Sequence, residues 1–107
     1  MSQDNQRQRV GILVYPGVEL LDFCGPYEVF TSVRLNEERR YEESSPLEVL
    51  LLSENLEAIK AHNGLRFFPD CALDDCPALD VLTIPGGMGI REAIRNEKLI
   101  RWIKERG

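Results

Sequence analysis

The run Val10–Tyr15, VGILVY closed by Pro16-Gly17, constrains this chain more than any other segment. A strand with one face in water alternates apolar and polar residues. A run that is apolar nearly throughout belongs to a strand buried on both faces, as in a parallel sheet covered by helices. Two more runs have the same character. Leu47–Leu52 (LEVLLL) is one, and Asp80–Ile84 (DVLTI), broken by Pro85-Gly86-Gly87, is the other. The segments between them carry helical signals. Strands alternating with helices imply βαβ units with right-handed crossovers. The expected fold class is therefore α/β, with a parallel sheet between helices.

The remaining segments fill in around these strands. Pro26 suits the first turn of a helix, since its missing N–H has no intrahelical partner there. Tyr27, Phe30, Val33 and Leu35 give that helix an apolar stripe. Asn36–Pro46 is charged and Ser-rich, and reads as a surface loop. Asn63-Gly64, between short mixed runs over Ile59–Phe68, signals a hairpin. Pro69–Pro77 reads as a loop. Ile90–Arg95 is a short helix, and Asn96 stands where it can N-cap a second helix over Glu97–Arg106, with Gly107 at its C′ position. Residues 1–9 are polar and read as a lead-in, leaving 10–107 as one domain's worth of chain.

Charge excludes several functions. Thirteen Lys and Arg against eighteen Asp and Glu give a net charge of −5, which argues against a phosphate-tracking nucleic-acid binder. Arg91, Arg95, Lys98, Arg101, Lys104 and Arg106 cluster, but Glu92, Glu97 and Glu105 interleave with them, the pattern of a solvated helix face. No apolar run approaches the ~18 residues of a membrane span. Three cysteines, Cys24, Cys71 and Cys76, contain no CxxC pair. Reduced thiols in a cytoplasmic protein are the expectation.

In open α/β sheets the ligand crevice lies outside the carboxyl ends of the strands. Asp22, seven residues beyond Tyr15, and Pro85-Gly86-Gly87-Met88-Gly89 both fall there. Glycines permit φ > 0 and close backbone approach, and their N–H groups can face an anion or a developing oxyanion. A tight strand-to-helix turn needs glycine equally, with or without a ligand. Asp22 lies among Leu20, Leu21 and Phe23, where desolvation raises a carboxyl pKa and lets it share a proton with a nucleophile. It also suits a cap for a helix beginning near Pro26, and spacing does not separate the two roles. Cys24 precedes Gly25-Pro26 at the expected helix start, a position that favours a thiolate, but no base accompanies it, so a small buried thiol is the better reading. Cys71, Cys76 and His62 match no standard zinc spacing. His62, beside the Asn63-Gly64 turn, reads as a surface residue.

Taken together, Gly11–Phe30 (GILVYPGVELLDFCGPYEVF), Asn63–Asp70 and Asp80–Gly89 (DVLTIPGGMG) resemble the ThiJ/PfpI family of class I glutamine-amidotransferase-like proteins. The nearest subgroup is the isonitrile hydratases, with the amidase-like domains of AraC-type regulators beside it. The resemblance spans residues 10–106. It implies a flavodoxin-like sandwich, a homodimer, a small-molecule substrate and no cofactor. It makes Asp22 the acid partner of a nucleophilic cysteine on a strand-to-helix elbow, and gives Gly86 and Gly87 backbone N–H groups that stabilise an oxyanion. In the hydratases the thiolate adds to the isonitrile carbon, and water then yields an N-substituted formamide. That elbow is expected after Gly107, and none of Cys24, Cys71 or Cys76 aligns with it. The expectation is an N-terminal part of such a domain, a lyase-like half site inactive by itself. The alternative implied by the resemblance is the small-molecule-sensing domain of a transcriptional regulator.

Overall fold

A computed structural model describes residues 7–87 and 89–106. In chain order the elements are β1 (Gln8–Leu13), α1 (Leu20–Ser32), β2 (Leu47–Ser53), β3 (Ile59–Lys60), β4 (Arg66–Phe67), β5 (Cys71–Ala72), β6 (Val81–Thr83), α2 (Ile90–Ala93) and α3 (Glu97–Arg106). Four of the strands form a parallel sheet in the order β5-β2-β1-β6. Val10 stands opposite Val49 on one side and opposite Val81 on the other. β3 and β4 make a separate antiparallel hairpin. The arrangement is the parallel α/β sheet that the apolar runs predict, and of the flavodoxin-like type that the resemblance implies.

Alternation along β1 builds two cores at once. Val10, Ile12 and Val14 face one way, into a cluster with Phe23 of α1, Val49 of β2 and Ile59 and Ala61 of the hairpin. Leu13 faces the other way, against Leu52, Leu73, Leu99 and Trp102. Ile12 and Leu52 are wholly inaccessible to solvent. A strand with period-2 side chains and no polar face can do this only when both faces are covered. Gly11 supplies the needed space, because a Cβ there would stand 2.7 Å from a methyl carbon of Leu79.

Several boundaries differ from the sequence expectation. β1 begins at Gln8, within the stretch read as a lead-in; Gln8 donates its N–H to Pro46 and Arg9 forms an ion pair with Glu48 at 2.8 Å. Helix α1 begins at Leu20, six residues ahead of Pro26, which lies inside it. Glu19 takes the N-cap position without a side-chain cap bond. Its own N–H is satisfied from outside the helix by the carbonyl of Gly86, 3.2 Å away. A helix start secured by another loop leaves no local signature of the Ser/Thr/Asp kind. The stretch read as a loop between Pro69 and Pro77 contains β5 and a short 3-10 turn over Leu73–Asp75. The 36–46 loop holds a similar turn at Glu37–Arg39, capped by Asn36. Asn96 caps α3 as expected, its Oδ1 accepting from the Leu99 N–H at 3.1 Å. The proposed C′ glycine, Gly107, lies outside the described residues. No helix among the described residues is long and apolar enough to cross a membrane.

Candidate functional site

From β1 the chain moves outward through β2 to β5, then returns past β1 to β6 on the far side. The strand order therefore reverses between β1 and β6. Crevices form outside the carboxyl ends of strands at such a point. Two loops meet there: residues 14–19 after β1 and residues 84–89 after β6.

Main-chain hydrogen bonds join these loops. Glu19 donates to the carbonyl of Gly86 at 3.2 Å, Gly89 donates to that of Gly17 at 3.2 Å, and Val18 bridges Gly87 in antiparallel fashion. The Tyr15 hydroxyl, from a residue only 4% exposed, donates to the carbonyl of Pro85 at 2.5 Å. Burial pushes the Tyr15 phenol up from its ordinary pKa, and the charge of Asp22 adds to the effect. Tyr15 was missed as a site-building residue. The available signal was its polar tip at the end of a buried strand, since a buried phenol needs a partner.

Asp22 occupies the first turn of α1. Its Oδ2 lies 3.7 Å from the position a Cβ on Gly86 would take. The carboxylate and the glycine loop thus share one rim of the sheet. Two expectations about Asp22 need correction. It does not precede a helix starting near Pro26, and a negative charge in the first turn is favourable to the helix dipole in any case. Nor is it desolvated: Asp22 is exposed, and Phe23 alone of that turn is buried.

The paired glycines separate in role. Gly87 has φ +148°, and a Cβ there would lie 2.6 Å from the Glu19 nitrogen and 2.9 Å from the Gly17 oxygen. Only glycine fits between those peptide groups. Gly89 is confined in the same way, since a Cβ there would run into the Pro16 carbonyl. Gly86 is under no such pressure: the Asp22 carboxylate is its one neighbour within 4 Å of that position. Among the described residues, the N–H groups of Gly86 and Gly87 donate to no acceptor, while that of Gly89 is used in the seam.

The cysteines are elsewhere. Cys24 is mid-helix in α1, not at its N-terminus, and burial pushes its thiol up. Two residues along a helix turn it through about 200° from Asp22. Cys71 sits on β5, where burial and then the charge of Asp70 raise its thiol as well. Both shifts oppose thiolate formation at neutral pH. His62 is exposed in the β3–β4 connection, where its main-chain N–H donates to Val18. Among the described residues no group of three His, Cys, Asp or Glu is placed to hold a metal ion.

This geometry has relatives. The isonitrile hydratase of Pseudomonas putida is 30% identical over 96 residues, which is 90% of this chain and 37% of that enzyme. A ThiJ/PfpI family protein from Pseudomonas syringae superimposes with a TM-score of 0.76 at 22% identity, covering 94% of this chain and 38% of that one. DJ-1beta of Drosophila melanogaster superimposes with a TM-score of 0.63 at 23% identity, over 88% of this chain and 46% of that one. The chain thus spans less than half the length of each of these relatives. The sequence pattern of the DJ-1/PfpI family matches residues 8–107, and the chain belongs to that family.

Proposed function

We propose that this chain supplies the acid and the oxyanion-binding half of a cysteine-dependent crevice of the isonitrile hydratase kind. The supporting observation is the approach of the Asp22 carboxylate to Gly86, 3.7 Å from its would-be Cβ, beside two backbone N–H groups that donate to no acceptor among the described residues. In this reading Asp22 exchanges a proton with the attacking thiol. The thiolate adds to the terminal carbon of R–NC, water then adds to that carbon, and the thiol leaves to give R–NH–CHO. The N–H groups of Gly86 and Gly87 hold the negative charge that gathers on the oxygen brought by water. Covalent catalysis needs a nucleophile, and in this reading it is supplied by none of Cys24, Cys71 and Cys76; that Cys24 lies mid-helix in α1 and Cys71 on β5 supports this.

The test uses two proteins and an alkyl isonitrile. The 107-residue chain alone is expected to form no formamide. Fused to the portion of the Pseudomonas putida enzyme that it does not align with, it is expected to turn the isonitrile over. Asp22→Asn in the fusion should then lower kcat at least about 100-fold, the scale of a lost acid–base group. Turnover by the chain alone, or full activity in the Asp22→Asn fusion, refutes the reading. A fusion that binds isonitrile without converting it points instead to a ligand-sensing crevice. A homodimer belongs to the same reading: Leu21 and Val29, one turn-pair apart on α1, are 75% and 63% exposed. Sedimentation equilibrium of the fusion decides that part.

A further inference from the structure

A groove of about 350 Å³ starts at the amino ends of β1 and β2 and follows β2 toward Asp70, a size within the range of small-molecule sites. Arg7, Arg34, Ser44 and Asp70 are among the residues that line it. β5 pairs with β2 at Leu52 and Ser53, so among the described residues no strand covers the outer edge of Leu47–Leu50. The loops after β1 and β6 leave the opposite end of the parallel sheet, and no residue of either lines this groove.

Two guanidinium groups share its amino end. Ser45 ties the last turn of α1 to the start of β2, donating to the Phe30 carbonyl at 2.8 Å and accepting from the Leu47 N–H at 3.1 Å. Arg34, just beyond α1, thereby stands at the same end as Arg7, whose Nη2 donates to the Leu47 carbonyl at 3.3 Å. The Nε of Arg7 is shielded from solvent and has no hydrogen-bond partner. Arg34 gives Nε to the Arg40 carbonyl and Nη1 to the carbonyls of Thr31 and Val33, which leaves its Nη2 without an acceptor among the described residues. Both arginines are half-buried. Arg9, Arg39 and Arg40 each have a carboxylate within 4.0 Å, whereas among the described residues Arg7 and Arg34 have none. All the acceptors they have found are neutral carbonyls. A partly desolvated charge without a counter-ion costs free energy that an anion can recover.

The acids of the groove are placed differently. Glu48 is neutralised by Arg9 at 2.8 Å. Asp70 holds the Leu51 N–H on Oδ2 at 2.8 Å, and its other oxygen remains able to accept. Leu51 lies four residues along β2 from Leu47, about 13 Å at the rise of a strand. The groove is therefore cationic at one end and hydrogen-bond accepting at the other. We propose that it binds a phosphate monoester of a small polyol, with the phosphate on Arg7, Arg34 and the Ser44 hydroxyl and a polyol hydroxyl donating to Asp70. The planar guanidinium fork matches phosphate oxygens. A phosphate monoester carries a charge of about −2 near neutral pH, equal and opposite to the two unpaired arginines. The proposal does not depend on the hydratase reading, because it uses the other end of the sheet and different residues.

The probe is glucose 6-phosphate, titrated into the chain at constant ionic strength and followed by amide chemical shifts. Saturable shifts at Arg7, Arg34 and Leu47 are expected. Glucose and sodium acetate should bind at least about tenfold more weakly, and inorganic phosphate should compete for the same shifts at lower affinity than the ester. Arg7→Gln removes the charge and should weaken glucose 6-phosphate about tenfold, the scale of one charge-assisted hydrogen bond. Should Arg7→Gln fail to fold, Ser44→Ala, at an exposed position, is expected to weaken binding about threefold, the scale of one neutral hydrogen bond. Shifts that do not saturate, glucose or acetate binding as tightly as the ester, inorganic phosphate matching the ester, or folded variants that bind unchanged overturn the proposal.

Discussion

Replacing Gly87 by Ala should cost far more stability than replacing its neighbour Gly86. Gly87 has φ +148°, a conformation that an L side chain occupies only under strain, at about 1–3 kcal/mol. The new methyl would also meet the Glu19 nitrogen at 2.6 Å and the Gly17 oxygen at 2.9 Å. Both are main-chain atoms, so neither can swing aside as a side chain does. Relief requires the two loops to part, which puts the Glu19-to-Gly86 and Gly89-to-Gly17 hydrogen bonds at risk, at about 1 kcal/mol each. The expected loss is about 3–5 kcal/mol, a large share of the 5–15 kcal/mol typical of a domain. At Gly86 the added methyl meets one carboxylate oxygen at an ordinary 3.7 Å, and the change should stay within about 0.5 kcal/mol. Urea unfolding followed by the fluorescence of Trp102, the single tryptophan and only 8% exposed, reads both variants. With a slope of about 1.5 kcal/mol per molar urea, Gly87→Ala should lower the midpoint by about 2–3 M or abolish the transition. Equal midpoints for the two variants would refute the assignment of Gly87 to loop closure.

Two further outcomes follow from the same region and from α3. Tyr15→Phe removes the hydrogen bond to Pro85 and should cost about 1–2 kcal/mol at neutral pH, measured by the same urea midpoint. The Tyr15 phenol is raised above its ordinary 10.0 in the folded state, so its contribution is complete below pH 10.0 and fades as pH climbs past that value. The gap between wild type and Tyr15→Phe should therefore narrow above pH 10; a constant gap contradicts it. Asn96→Ala removes both the cap of α3 and the bond to Glu54. It should cost about 1–2 kcal/mol, with hydrogen exchange in α3 accelerating before exchange in β1 does.

The parts of the fold legible in the sequence are those written in local pattern. VGILVY and LEVLLL announce strands buried on both faces because no polar face is present to contradict it. Asn96 announces the start of α3 because its side chain performs the capping itself. What could not be read depends on distant partners. Glu19 begins α1 with no capping side chain of its own because Gly86, sixty-seven positions later, accepts its N–H. Pro26 misled for the same reason: it reads as a first-turn residue wherever the true start is silent. The two residues of β5 have no pattern to display, and exist because they continue β2 outward from Leu52 and Ser53. At the candidate site, residue types located Asp22 and the glycines at one rim. They could not say that Gly87 is demanded by neighbouring peptide groups while Gly86 is left open, nor that Asp22 stands in water.

The junction between the loops after β1 and β6 is stitched almost wholly by peptide groups. Such a joint does not care which side chains decorate it. Substitutions at the half-buried Glu19 can alter bulk and charge without changing where the amides of Gly86 and Gly87 stand, provided the glycines themselves remain. The frame and the lining of the crevice are thus free to drift separately, so new ligand preferences can accumulate around an unmoved scaffold.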